Sequence, residues 1–145
     1  MTLYLLDENV LREMRPGGDA NVAAWLKTID DNDLRISAIT FYEKRKGWER
    51  QLRKKPGDPD IRARLAAIAA LETVYAARTI PMGVAEYAEQ ARLLGAKDKD
   101  QNDMALAATA RVHGLVLVTR NVKDFQGRDV DVLNPFKSPS KIERV

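Results

Sequence analysis

The chain has 145 residues, 45% of them apolar and 31% charged, with a formal net charge of +3 and no cysteine. That length and apolar share fit one domain with a real core, and the missing cysteines exclude disulfides, a thiolate nucleophile and a Cys-ligated zinc site. The mildly basic balance permits a nucleic-acid or acidic-protein partner without demanding one. No stretch reaches the ~18 apolar residues of a membrane span, and the first residues lack the basic-then-apolar pattern of a leader, so a cytoplasmic protein without membrane association is expected.

In chain order, residues 3–6 read as a short buried strand that runs straight into two acids, "LYLLDENV". Residues 9–14 suit a short helix stopped by "RPGG". Asp19 is a good N-cap for a helix through Val22, Ala23, Leu26 and Ile29. "LRIS" at 34–37 predicts a second strand, followed by a helix over 39–54 that ends before Pro56-Gly57. The segment "DPDIRARLAAIAALETVYAAR" predicts a long helix with an apolar stripe at Ile61, Leu65, Ile68 and Tyr75. Residues 79–81 form a candidate strand, 84–94 a helix closed by Gly95, and 103–113 an alanine-rich helix ended by Gly114. "LVLVT" is the clearest strand, and 131–134 form one more. The domain is expected to span 1–136, with 137–145 as a loose basic C-terminal tail.

Short apolar strands alternating with helices predict an α/β domain with a mostly parallel sheet, whose ligands bind in the crevice at the carboxyl ends of the strands. Acids recur where that crevice should lie. Asp7 and Glu8 follow the first strand, Glu43 follows the second, Asp103 opens a helix on the same side as Leu106, Ala107 and Ala110, and Asp124 follows "LVLVT". Asp7 alone could simply cap the next helix. Periodicity does not single out Glu43, which falls opposite the stripe of Phe41, Trp48 and Leu52. Carboxylates that converge repel, by roughly 4 kcal/mol for two charges at about 4 Å and an effective dielectric near 20. A shared proton or a bound cation relieves that repulsion. All-oxygen ligands favour Mg²⁺ or Mn²⁺, and such an ion can acidify a bound water and clamp a phosphate oxygen.

Three stretches carry a family resemblance. "LYLLDENVL" is similar to the opening motif of PIN domains, in particular those of VapC-like toxins from type II toxin–antitoxin pairs. "ISAITFYEKRKG" resembles their second block, and "DMALAATARVHGLVLVTRNVKDF" their third and most specific one. The resemblance implies a three-layer α/β/α fold with a short, mostly parallel sheet. It implies a Mg²⁺-dependent endoribonuclease, in which Mn²⁺ can substitute, held in check by an antitoxin and forming a homodimer. It puts Asp7, Glu43 and Asp103 at the metal-binding acids of the catalytic site and Asp124 as a fourth catalytic acid. The family's usual fourth position is occupied here by Asn121. Glu8 is a second departure, standing where relatives carry a small hydroxyl residue; Glu8 and Asn121 are accessory candidates.

The basic run "KRKGWERQLRKK" offers Lys44, Lys46 and Arg50 as contacts for an RNA backbone, against the plainer reading of a solvated helix face. His113 is expected to be structural, Asp98 and Asp100 to be loop and cap residues. Trp25, Trp48 and Tyr75 read as core or partner contacts, with Trp25 or Trp48 as candidate anchors for an antitoxin. A signalling phospho-acceptor domain also places acids at strand ends, but "TIPMG" lacks the acceptor aspartate it needs. The alternative to the ribonuclease is a catalytically weak domain of the same kind that binds RNA or a partner protein without cleaving.

Overall fold

The computed structural model describes residues 1–95 and 99–145; Asp98 lies outside them. Six strands form one sheet in the order β3-β2-β1-β4-β5-β6, where β1 is Tyr4–Leu6, β2 Leu34–Ser37, β3 Thr79–Ile80, β4 Val116–Val118, β5 Asp131–Leu133 and β6 Ile142–Arg144. The first five are parallel, and Tyr4 is flanked by Leu34 on one side and Val116 on the other. The expected mostly parallel sheet is therefore present.

Helices cover both faces. α1 (Glu8–Leu11), α2 (Ala20–Leu26), α3 (Ala38–Lys54) and α4 (Pro59–Val74) precede β3, and α5 (Val84–Leu94) and α6 (Gln101–His113) follow it. Strand alternation divides the core between the two faces. Leu6, Val116, Val118 and Leu133 pack with Val10, Val22, Trp25, Phe41 and Ile68. Leu5, Leu117 and Val132 point the other way, onto Leu93, Met104, Leu106 and Phe125. α6 is buried along an unbroken run from Met104 to Ala110, which explains its small side chains: alanine lets α5 and the sheet approach it closely.

The local signals work as read. Asp19 caps α2 by accepting from the backbone N–H groups of Asn21 and Val22. Ser37 caps α3, Pro59 stands in the first turn of α4, and Gly95 closes α5 at φ +59°. Ile61, Ile68 and Tyr75 are buried on the α4 stripe, and Leu65 is packed at its margin. Asp100 occupies the cap position of α6 at φ +58°, but its side chain caps nothing. Trp25 is sealed in the core, edge-on to Tyr4 at 5.4 Å, so it cannot anchor a partner. Trp48 lies under the Arg64 guanidinium.

A further expectation is overturned. The C-terminal residues are not a loose tail, because Ile142–Arg144 pair antiparallel with β5. Arg144 bonds to Asp131 at 3.0 Å and to Asp129, and the Val145 and Val130 backbones exchange two hydrogen bonds. The sequence conceals this strand because its residues are all exposed or nearly so and carry no apolar alternation. Truncation after Ser140 should lower the thermal midpoint by at least roughly 3 °C, the shift that about 1 kcal/mol produces in a domain of this size. An unchanged midpoint would mean that β6 contributes nothing.

Candidate active site at the β1–β4 crevice

The strand order reverses between β1 and β4, and in a parallel α/β sheet this switch point opens a crevice at the carboxyl ends of the strands. Asp7 follows β1 directly and Thr119 follows β4. The Asp7 backbone N–H continues the ladder to the Val118 carbonyl at 2.9 Å, which fixes where its side chain emerges. One carboxylate oxygen, Oδ1, accepts from the Glu8 N–H at 2.7 Å and caps α1. The other, Oδ2, accepts from the Thr119 hydroxyl at 2.8 Å. Capping and facing the crevice are thus both true of Asp7. Burial raises its pKa above the ordinary carboxylate value, against the pull of these two hydrogen bonds.

Thr119 and Asn9 are the residues that the sequence reading left out. Thr119 is fully buried, and its hydroxyl also accepts from the Asn121 N–H at 3.1 Å. Asn9 reaches across the crevice: its Nδ2 lies 3.4 Å from Asp7 Oδ2 and from Thr119 Oγ1, and its Oδ1 accepts from the Arg120 N–H. These bonds tie the loop after β4 to the loop after β1. The signal was the polar pair "DEN" and "TRN" ending two adjacent strands, a pattern without periodicity.

Glu43 and Asp103 come in from the flanking helices. α3 begins at the residue after β2, so its second turn overhangs the strand ends and carries Glu43 toward the crevice, away from the core stripe. Burial, followed by the charges of Asp7, Asp103 and Glu8, pushes its carboxyl up to about 7. Asp103 lies in the first turn of α6, where burial and then the charges of Asp7, Asp124 and Asp100 push it up to about 6. Asp124 is exposed in a 3₁₀ turn, Val122–Phe125, close enough for its charge to act on both Asp7 and Asp103. Asn121 precedes that turn, is exposed, and joins the network through its backbone.

The remaining candidates separate. Glu8 opens α1 and accepts from Lys44 Nζ at 2.8 Å and Arg12 at 2.6 Å. Burial opposes its ionisation, but these bonds outweigh it and hold its pKa below the ordinary value. Lys44 consequently turns to the crevice rim, while Lys46 lies over the Tyr42 ring with its charge still reaching Glu43, and Arg50 is exposed. His113 pairs with Glu86 at 2.8 Å, a tie between α6 and α5.

The donor set suits a hard divalent cation: carboxylate oxygens in a half-buried crevice whose charges oppose one another. Among the described residues, no three acids or histidines lie close enough to enclose an ion by themselves. Mg²⁺ tolerates that, since it keeps several waters and takes few protein ligands.

Comparison with known proteins identifies the family. The PIN domain pattern matches residues 4–129. Toxin FitB of Neisseria gonorrhoeae is 34% identical over 141 residues, covering 92% of this chain and 99% of that protein. The VapC ribonuclease Y4jK of Sinorhizobium fredii is 26% identical over 143 residues, covering 93% and 99%. The crystal structure of FitAcB from Neisseria gonorrhoeae superposes with a TM-score of 0.73 at 30% identity, covering 92% of this chain and 99% of that one. With its strand-end acids, its three-layer architecture and these likenesses, the chain belongs to the PIN-domain family, on the side that holds the VapC-like toxins.

Proposed function

We propose that the chain is a metal-dependent endoribonuclease and the toxin of a toxin–antitoxin pair. The observation that carries the reading is the convergence of Asp7, Glu43 and Asp103, each raised in pKa by burial and each within the electrostatic reach of another. Such a site has a charge deficit that a divalent cation fills. Asp7, Glu43 and Asp103 would hold Mg²⁺ or Mn²⁺, with Asp124 at the outer rim. When bound, the ion supplies an acidified water and a counter-charge for phosphate.

The chain's own groups do the positioning. The Glu8 N–H and the Thr119 hydroxyl fix the Asp7 carboxylate, one at each oxygen, and Asn9 ties the adjoining loops. Glu43 and Asp103 are anchored at the starts of two helices that pack on the sheet, which keeps their spacing rigid. In the metal-free chain burial and the neighbouring acids hold the Glu43 carboxyl near 7, so a cation bound there would displace a proton from it at neutral pH.

Relatives support the biological setting. One is named a toxin, another a ribonuclease, and a solved structure of FitAB at 29% identity is bound to a DNA fragment. By that likeness, the proposed partners are an RNA substrate, a cognate antitoxin and a second copy of the chain. The antitoxin would close the crevice with an arginine or lysine directed at the acids. The second reading, binding without cleavage, draws on Asn121 at the family's usual fourth acid and on the absence of a closed ligand cage among the described residues.

Purified chain should cut a structured RNA in Mg²⁺ or Mn²⁺, stop on chelation with EDTA and resume on adding the ion back. Cleavage that survives chelation defeats the metal reading, and binding without cleavage in either ion favours the second one. Asp7→Asn should cost at least ~100-fold in kcat/KM, about 2.7 kcal/mol of barrier. Asp124→Asn should cost less than Asp103→Asn; equal losses would make Asp124 a direct ligand.

Stability should report the same acids. Glu43 and Asp103 bind protons more tightly in the folded chain than at their ordinary values of 4.5 and 3.8. The stability they contribute is present below those ordinary values and is lost as pH rises through about 6 and then about 7. The metal-free thermal midpoint should therefore fall between about pH 5 and pH 8, Glu43→Gln should flatten that fall, and Mg²⁺ should stabilise more at the alkaline end. A flat profile in the metal-free chain would show that neither burial nor mutual repulsion raises these carboxyls.

A further inference from the structure

A nucleic acid approaching this crevice meets four acids, and the chain's net charge of +3 is spread over its whole surface. One feature at the rim changes that local balance. Glu8 sits immediately after Asp7 and holds two cations rather than one. Its Oε1 accepts from Lys44 Nζ at 2.8 Å, and its Oε2 accepts from the Arg12 guanidinium at 2.6 and 3.2 Å. Lys44 in turn sits immediately after Glu43. The three side chains together carry one positive charge, next to two of the acids that need a phosphate brought to them.

Two simpler accounts leave something over. If Glu8 needed only a counter-charge, one cation would suffice. If the pair were only a strap from α1 to α3, Lys44 would supply it, and Arg12, four residues along the same helical turn, would be surplus. Donor counting points the same way. An ammonium has three N–H groups and a guanidinium five. Among the described residues, the hydrogen bonds of these two side chains all go to Glu8, using one and two of them. The rest face outward, and the side chains are 21% and 65% exposed. Glu13, the other acid whose field reaches Arg12, is engaged in accepting from the Asp19 N–H. What remains is a pair of pre-aimed cations with unused donors, the arrangement that recognises a phosphate oxygen.

We propose that Arg12 and Lys44, gathered by Glu8, form a phosphate subsite that grips the RNA backbone beside the carboxylate crevice. This rests on the nuclease reading above and deepens it. Glu8 is the positioning residue: it belongs to the substrate's backbone contact and not to the metal's ligands.

The test is RNA binding by the full chain in EDTA, where cleavage is off, with a labelled single-stranded oligonucleotide titrated over a range of salt. Removing one phosphate-binding cation should reduce the slope of log K against log salt by about 0.7. Arg12→Gln and Lys44→Gln should each weaken binding and reduce the slope by about that much. Lys141→Gln, close to the distant strand β6 and with a side chain 80% exposed, should leave it unchanged. In Mg²⁺ the two rim variants should raise KM and keep kcat, as removal of uniform binding requires. Unchanged slopes at both positions, an equal reduction from Lys141→Gln, or no RNA binding by the unmodified chain would overturn the subsite. So would a fall in kcat and thermal midpoint at Lys44→Gln without a change of slope, which marks a strap alone. Arg12 is exposed enough that its variant folds whatever Lys44 does. Should the unmodified chain bind RNA and the rim variants show the reduced slopes, yet no cleavage follow in Mg²⁺, the hydrolase reading falls and the subsite stands. Should it cut RNA while the slopes stay equal, only the subsite falls.

Discussion

The hydrogen bond from Thr119 to Asp7 joins the ends of the two strands between which the sheet reverses direction. Much of the site depends on that join. It favours the charged form of a buried carboxylate and so offsets part of the desolvation that raises its pKa. Through Asn9 and the Asn121 N–H it also sets the course of both loops that border the crevice. Once Asp7 is placed, Glu43 and Asp103 need only arrive from helices whose starting points are dictated by β2 and by the packing of α6. The repulsion that follows is a property of this topology, because each of the three acids is delivered by a different element.

α6 shows how the charge is distributed. Its first turn carries Asp103, where the partial positive end of the helix favours an anion. Its last turn carries Arg111 and His113, paired with Glu89 and Glu86 of α5. Arg111 continues to Asp129, which also meets Arg144. One end of the helix is therefore fully compensated by a chain of ion pairs, while the other faces the acids of the crevice. The asymmetry leaves the electrostatic deficit in one place.

The five parallel strands were legible as short runs between turn signals, Asp7 as the carboxylate that ends the first, and Asp103 from the inward face that it shares with Leu106 and Ala107. Glu43 was legible only by resemblance: helical periodicity tracks the core, and Glu43 faces a crevice at the edge of the core. Thr119 and Asn9 escaped because a hydroxyl or an amide at a strand end looks like ordinary turn chemistry until the neighbouring strand is known. Lys44 groups with Lys46 and Arg50 by charge, but only the fold reveals that Glu8 turns it the other way. The C-terminal strand was invisible for a different reason, since its order comes from backbone pairing and from Arg144, and not from apolar burial.

That last strand has a consequence for how copies of the chain can meet. A sheet ending in an open parallel edge invites another molecule to extend it. Here one edge is closed by three exposed residues, Ile-Glu-Arg, that run against the sheet direction and hold their arginine in ion pairs. The opposite edge is only two residues long. Neither gives an incoming strand a long, uncharged ladder to copy, so a barrier to fibril-like stacking is built into both margins.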